Sequence, residues 1–522
     1  YTLVDTVPLI GTIPRGQLTV VGTGSASPVA VYDGGSGSAM APVPGSDTEF
    51  WLMTDRGPNT DGPDVVVGSA TFASKVFPVP DFHPQLKRVR QRPDGSLDVL
   101  GVLTLKDAAG VPLSGLPNPP GAGNAGEVAL SVDPVTNTPG ATPLPFDPTG
   151  LDSEGLVAVA DGTFWVSDEY GPWIVRFAAN GNTLERFSPF AASSAGNKVP
   201  QVFAKRRPNR GMEGLTMTPS GKLVGMMQSA LYNPDRSTTH NKSLVVRILV
   251  LDPTTHATQQ YCYLLENRDT AVSEILAVSD TEFLVLERDG LFAGSGTVRK
   301  GIYRISISGA TDVSDPADGP LGRLYAGKTV DALLNRAGLD GAAIRPVSKT
   351  LAVDLMALAV TYPHDKPEGL ALVHGGKTLV VVNDDDFGVT GLGPTVVPKL
   401  NPAGGVDGNS LWFIGLDQAA VPVIISPVND LPVAMNSSAT VALPLAPVSG
   451  MVSATDAEGD ALTYEMLSGP ASSDGAFSLS ATGAFLFTPA PTFDGQASVT
   501  FRAVESAAPA NASSIATLAL AL

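Results

Sequence analysis

Short apolar runs punctuated by turn residues fill the chain, and one arrangement of them recurs. It is an apolar run, a turn, and a second apolar run that ends in acidic residues. Its fullest copy runs from Asp152 to Gly171, with Ser153-Glu-Gly-Leu156 opening the first run and Trp165-Val-Ser-Asp-Glu169 closing the second. Gly211 to Gln228, Val272 to Gly290 and Lys366 to Asp386 repeat it, and a weaker copy runs from Ser36 to Gly57. Asp161-Gly162, Ser220-Gly221 and Gly375-Gly376 supply turn chemistry, so each copy reads as a β-hairpin. Further alternating runs at Trp173–Phe177, Leu184–Phe187, Leu244–Leu251 and Gly301–Ile307 extend the hairpins toward four-stranded units. Degenerate hairpin repeats of this kind predict the blades of a β-propeller. Five to seven blades are expected and six favoured, the sixth built from Leu18 to Tyr32 with a later strand that closes the ring. Helical periodicity is scarce and is best met from Val330 to Gly338. Gly/Pro-rich insertions at Asp107–Gly150 and Gly388–Gly408 read as excursions over one face.

Near Val421 the composition shifts toward Thr, Ser and Ala, and Pro427-Val-Asn-Asp-Leu-Pro432 reads as a linker. The short alternating runs beyond it suffice for one β-sandwich of the immunoglobulin or cadherin kind. The fold class expected is therefore all-β, with a propeller over residues 1–422 and a sandwich over 423–522. The apolar run Ile515 to Leu522 reads as an unpaired edge able to accept a strand from another copy.

Composition narrows the function classes. The chain has 522 residues, 43% of them apolar, enough for more than one core. No apolar stretch is long enough to span a membrane. Asp and Glu number 51 against 33 Lys and Arg, a net charge of -18 that repels nucleic acid and suits cation binding. Cys262 stands alone, which excludes an intrachain disulfide, and the five histidines show no paired ligand spacing. His364 and Asp365, just before Glu368, merit a mutagenesis test. There is no Gly-x-Ser-x-Gly elbow, and Gly22-Thr-Gly-Ser-Ala-Ser27 lacks the third glycine of a dinucleotide loop. The start at Tyr1, with no Met or leader, reads as a mature exported chain, secreted or held at a cell surface.

Glu154, Glu213, Glu274 and Glu368 stand at the head of the first strand in four hairpins. In a propeller those strands line the axis, so the four carboxylates are expected to converge on one ring. Such a ring is strained by like-charge repulsion unless cations intervene, and oxygen-only donors favour Ca²⁺. The acids closing the second strands, Asp168, Glu169, Glu287, Asp289, Asp384 and Asp385, form a candidate outer shell. A strand-starting carboxylate can also simply accept backbone N–H bonds and pin a loop. Departures from the pattern are Gly37 or Ser38 in place of Glu, and Ile275 in place of Gly.

The hairpins resemble the esterase-like phytase domain, a propeller-type family of exported bacterial proteins, from roughly Gly34 to Leu416. The resemblance rests on Ser153-Glu-Gly-Leu156 with Trp165-Val-Ser-Asp-Glu169, Met212-Glu-Gly-Leu215, and Pro367-Glu-Gly-Leu370 with Asn383-Asp-Asp385. It implies calcium-dependent hydrolysis of a small phosphoester, of phytase or phosphodiesterase type, with Glu154, Glu213, Glu368 and Asp168 catalytic. Glu154, Glu213, Glu274, Glu368, Glu169 and Asp385 would hold the metal. Lys205, Arg206 and Arg210, just before Glu213, together with Arg56 and Arg288, would hold the substrate's charge. The C-terminal segment resembles a cadherin-like domain of bacterial adhesins through Asn429-Asp430, Thr455-Asp-Ala-Glu-Gly-Asp460 and Phe485-Leu-Phe-Thr-Pro489. There Asp430, Asp456, Glu458 and Asp460 would bind calcium, and the domain would serve surface attachment or self-association. The alternative is a non-catalytic adhesive or filament-forming protein that keeps the propeller as a scaffold.

Overall fold

The computed structural model describes residues 8–123, 126–190, 198–237, 242–416, 431–456, 461–506, 512–513 and 515–522. The chain divides into two compact units, Tyr1–Ile424 and Ile425–Leu522. Among the described residues, strand is the dominant regular structure of each.

Among the described residues, the first unit is a propeller of five four-stranded antiparallel blades. Blade 1 comprises Ala39–Pro42, Glu49–Met53, Gln85–Gln91 and Leu97–Thr104. Blade 2 comprises Ser153–Ala158, Phe164–Asp168, Ile174–Phe177 and Thr183–Phe187. Blade 3 takes Met212–Met217, Leu223–Met227, Val245–Leu251 and Thr258–Leu264, and blade 4 takes Ala271–Ala277, Glu282–Arg288, Lys300–Ser306 and Ser348–Asp354. Blade 5 joins Pro367–Val373, Thr378–Asn383 and Ser410–Gly415 to the early strand Leu9–Thr12, which pairs with the third strand in the register Leu9↔Phe413. The first strands pack in a cycle, blade 1 on 2, 2 on 3, 3 on 4, 4 on 5 and 5 on 1, so five blades close the ring. This is one fewer than the favoured six. The closing strand is Leu9–Thr12, and it seals the seam by pairing distant parts of the chain, which removes an open edge.

The blades are held by apolar side chains between their faces. Trp165, Phe187, Leu215, Leu249, Ile275 and Phe283 belong to one continuous buried cluster spanning blades 2 to 4. Full burial of each contributes about 1.5–3 kcal/mol. An insertion after blade 4's third strand folds back on blade 3. There Asp331, fully buried, pairs with fully buried Arg247 at 2.8 Å, and Gln260 and Asn233 complete the hydrogen bonds. The predicted helix at Val330–Gly338 is a 3₁₀ turn at Asp331–Leu333 followed by a one-turn helix, Arg336–Gly341, capped by the Asn335 side chain. Cys262 lies buried beside Val313, Val330, Leu339 and Ile344, and burial pushes its thiol up to about 12.

Leu18–Tyr32 is not a blade. Among the described residues Gln17–Val21 and Val29–Tyr32 pair only with each other, and Val21, Val29 and Val31 pack with Phe82, Phe387, Val389 and Val396 in a separate small core. With the hairpin Val389–Leu392/Thr395–Pro398 and the sheet built on Ala70–Phe77 and Glu127–Val132, it forms a cap. The Asn137 side chain staples this cap, donating to Val396 O at 2.7 Å.

In the second unit, Ser437–Thr440, Ala516–Ala521, Gln496–Glu505 and Leu462–Ser468 form one sheet, and Val448–Met451, Ala484–Pro489 and Gly475–Leu479 the other. Phe485, Phe487, Phe493, Val499, Phe501 and Leu518 fill the space between them. The terminal strand Ala516–Ala521 is not an edge. It pairs antiparallel with Gln496–Phe501 and parallel with Ser437–Thr440, so its backbone is satisfied on both sides. The expected strand acceptor is thereby removed. Asp456 follows the short strand Ala454–Thr455, whereas Asp430, Glu458 and Asp460 lie outside the described residues.

Candidate functional site

A glutamate followed by glycine heads three first strands, and the pair has one geometric cause. In blade 2, Ser153 pairs with Asp168 and Gly155 with Ser167, leaving Glu154 bulged out of the ladder. Glu213 and Glu368 are bulged in the same way in blades 3 and 5. A bulge re-aims its side chain, and these three carboxylates turn into a cavity of about 840 Å³. The glycine lets neighbouring first strands approach: a Cβ on Gly155 would stand 2.5 Å from Leu215 N, and one on Gly214 2.6 Å from Ile275 N.

Blade 4 departs from the expected ring. Its bulged residue is Ser273, between the pairs Val272↔Glu287 and Glu274↔Leu286. Glu274 therefore occupies the glycine's place, one residue late. Its carboxylate accepts from Ile275 N at 2.8 Å and is absent from the cavity wall. Ser38 heads the first strand of blade 1. The inner ring is thus Ser38, Glu154, Glu213, Ser273 and Glu368, three carboxylates rather than four.

A second ring lies at the ends of the second strands: Asp55, Glu169, Gln228, Arg288 and Asp384 all line the cavity. Shared backbone bonds place them alike, since Glu169 N donates to Asp152 O, Gln228 N to Gly211 O and Asp384 N to Lys366 O. Side chains alternate along a strand, so the neighbours of these residues face away. Asp168 accepts from Asp152 N at 2.8 Å and Gly171 N at 2.5 Å, off the cavity wall, and burial pushes its carboxyl up to about 7. Asp385 accepts from Gly35 N and Phe387 N and pairs with Arg15 at 2.5 Å. Both were expected to act in the site, as catalyst and ligand. Each instead holds backbone behind it, because each is one residue out of phase with an inward-facing acid.

On one side of the cavity, Asp152, Glu154 and Glu169 each bring an oxygen within 4.8 Å of the others. Burial raises the Glu154 carboxyl well above its usual range, with Glu213, Asp152 and Glu169 adding to the rise. Glu169 is raised by burial and by Asp152. Burial and Glu368 push Glu213 up to about 8, although Gln228 Nε2 donates to its Oε1 at 2.6 Å. Glu169 Oε1 and Glu213 Oε2 are buried without a hydrogen-bond partner among the described residues. A buried carboxylate oxygen left so is costly, and a cation among these donors would remove the cost. Three clustered carboxylates, with Glu213 lining the same cavity and no nitrogen or sulfur donor in the cluster among the described residues, are the set a hard, calcium-like ion takes.

Cations face this cluster. Arg56, buried, reaches Asp152 at 3.2 Å, Glu127 at 3.0 Å and Asn209 Oδ1 at 2.5 Å. Across the cavity Arg288 pairs with Glu368 and donates to Ser273 Oγ at 2.9 Å. Lys366 and Lys399 hold Asp386 at 2.5 and 2.7 Å, keeping its carboxyl far below the usual range despite burial. Of the basic run before Glu213, Arg210 lines the cavity. Arg206 is buried behind it, donating to Gly123 O and Arg207 O, and Lys205 points to Pro234 O at 3.4 Å. Neither reaches the wall. Sequence reasoning missed Asp55, Asp152, Lys366, Asp386 and Lys399 as site residues. The signal for Asp152 and Lys366 is their common offset, two residues before a bulged glutamate. Thr60, Asp61, Lys75, Val389 and Thr390 bring the cap onto one wall of the cavity.

A "bacterial Ig domain" model matches residues 429–520. An uncharacterized secreted protein of Arthroderma benhamiae is 29% identical over 312 residues, covering 51% of this chain and 59% of the relative. The chain thus spans about three-fifths of that relative's length. Among solved structures, a xyloglucanase from Xanthomonas campestris aligns at 11% identity and a TM-score of 0.27, over 81% of this chain and 57% of that one. A SusE-like surface polysaccharide-binding protein from Bacteroides thetaiotaomicron aligns at 9% identity and a TM-score of 0.14, over 53% and 41%. A family model described as "esterase-like activity of phytase" matches residues 33–387, more than half of the sequence, and the chain belongs to that phytase-like family.

Proposed function

We propose that this chain is an exported hydrolase of small phosphoesters that works with a calcium ion held by Asp152, Glu154 and Glu169. The observation that carries the reading is the pairing of buried, unsatisfied carboxylate oxygens with a surround of guanidinium and ammonium groups in one cavity. Glu213 stands beside the three as a further donor. A bound cation would neutralise phosphate oxygens and acidify a water molecule. The protein's own part is to place charge. Arg56, Arg210 and Arg288 offer donors to the anionic ester, and Lys366 and Lys399 keep Asp386 ionised at the rim. The similarity to a secreted protein supports export, and the second unit is assigned an attachment role outside the cell. The acidic chain leaves nucleic acid an unfavourable partner.

Purified protein with added calcium should hydrolyse 4-nitrophenyl phosphate, its bis ester or phytate, and lose that activity with chelator. E213Q should lower the rate by roughly 10²-fold or more, whereas E274Q, off the cavity wall, should leave it nearly unchanged. Absence of turnover on all three esters with calcium present would overturn the reading.

A further inference from the structure

Behind blade 5 lies a second cavity of about 530 Å³ that shares no lining residue with the axial one. Three residues that the phosphoester chemistry does not use meet on its wall. Ser410 opens the third strand of blade 5, Asp407 sits in the loop before it, and His364 precedes the first strand. Ser410 Oγ lies 2.8 Å from His364 Nε2, and His364 Nδ1 lies 2.9 Å from Asp407 Oδ1. The Asp407 side chain is fully buried and that of His364 is 11% exposed. We propose that Ser410, His364 and Asp407 form a second hydrolytic centre, independent of metal, that cleaves small carboxylic esters.

The geometry fixes each role. An aspartate against Nδ1 keeps the ring proton there and leaves Nε2 to accept from the serine hydroxyl, the arrangement a nucleophilic serine requires. The Tyr362 ring meets the imidazole edge-on, 5.4 Å between centroids, and holds its plane. Trp412 Nε1 donates to Ser410 Oγ at 3.1 Å and Asn383 Oδ1 accepts from Ser410 N at 2.8 Å, which fix the serine; the same Oδ1 lies 3.2 Å from Ser410 Oγ, a longer acceptor for the hydroxyl than His364 Nε2 at 2.8 Å. Ile10, Ile13, Pro14, Pro363 and Val406 give the cavity an apolar wall suited to a short acyl chain, and Arg15 puts a guanidinium on the same wall.

The reaction balances with water as co-reactant. Ser410 Oγ bonds to the ester carbonyl carbon as its proton passes to His364 Nε2. The carbon–alkoxide bond then breaks, and the alcohol leaves with that proton, giving an acyl-serine. Water attacks the acyl carbon and gives a proton to Nε2. The carbon–Oγ bond breaks, the proton returns to Oγ, and a carboxylic acid departs. The order His, Asp, Ser along this chain, with no nucleophile elbow, is one of several by which unrelated folds reach this geometry.

The test uses the whole protein with chelator throughout, conditions under which the calcium-dependent reading expects no turnover, so failure of one proposal is separate from failure of the other. A fluorophosphonate probe should label the protein, and peptide mass spectrometry should place the label on Ser410. 4-Nitrophenyl butyrate should be hydrolysed, S410A should abolish both signals, and D407N, which alters the tautomer with little change in volume, should slow hydrolysis by roughly 10³-fold or more. Thermal unfolding of each variant controls for loss of fold. Folded wild-type protein with Ser410 unlabelled and no butyrate hydrolysis would overturn the proposal. So would labelling at another residue, or butyrate turnover that survives in S410A.

Discussion

Replacing Gly155 by Ala tests whether the Glu-Gly pair is what brings the inner ring together. The added Cβ would lie 2.5 Å from Leu215 N and 2.8 Å from Leu215 Cβ, the neighbouring blade's first strand. That is roughly 1 Å short of ordinary contact; Ser167 Oγ, also 2.5 Å away, could rotate aside, but the Leu215 backbone cannot. Overpacking of this kind costs about 1–3 kcal/mol. For a unit of about 420 residues the unfolding entropy is roughly 0.9 kcal/mol/K, so the midpoint should fall by about 1–3 °C. Blades 2 and 3 must part at the level of Glu154 and Glu213, and a displacement near 1 Å costs a reaction on the order of 100-fold. Differential scanning calorimetry with a parallel phosphoester assay reads both effects. Gly16→Ala is the control, since its Cβ would meet nothing within 4 Å. A G155A protein indistinguishable from G16A in midpoint and rate would refute the reasoning.

Without metal, stability should fall as pH rises. The Glu213 carboxyl in the folded chain titrates at about 8, above its ordinary 4.5. A raised acid contributes stability below its unfolded pKa and loses it as pH climbs toward the folded one. Chelated protein should therefore unfold at lower temperature at pH 8 than at pH 5, and calcium should reverse the trend; a flat profile would contradict it. The buried pair Arg247–Asp331 makes a second case. D331A strands a buried guanidinium and should cost about 3–5 kcal/mol, read by urea unfolding, whereas a loss under 1 kcal/mol would mean that the insertion is not held this way.

Much of this architecture is legible in the sequence, for a physical reason. Hairpins with the same role need the same residues, so Glu-Gly recurs wherever a bulge aims inward and a neighbouring strand presses close. The reading failed where the role moved by one residue. Val272-Ser-Glu-Ile275 looks like another copy, but the bulge falls on Ser273, and Glu274 slips behind the wall. Asp168 and Asp385 failed through strand parity: in a run of consecutive acids, composition does not say which one faces in. The hairpin at Leu18–Tyr32 alternates like a blade, yet its partners, Phe82, Phe387 and Val396, come from segments far apart in the chain. Likewise the terminal apolar strand reads as an edge until Ser437–Thr440, some eighty residues earlier, pairs with it. His364, Asp407 and Ser410 carry no shared motif, and their meeting depends on how blade 5 closes.

The central claim is a cation at Asp152, Glu154 and Glu169, and isothermal titration of calcium into chelator-stripped protein near pH 7.5 tests it most directly. Because burial holds the Glu154 and Glu169 carboxyls above their usual range, binding should release protons, so the measured heat should change with the ionisation enthalpy of the buffer. The account predicts a buffer-dependent binding event in the wild type that disappears in the E154Q/E169Q protein. The same calcium isotherm in both proteins would contradict it.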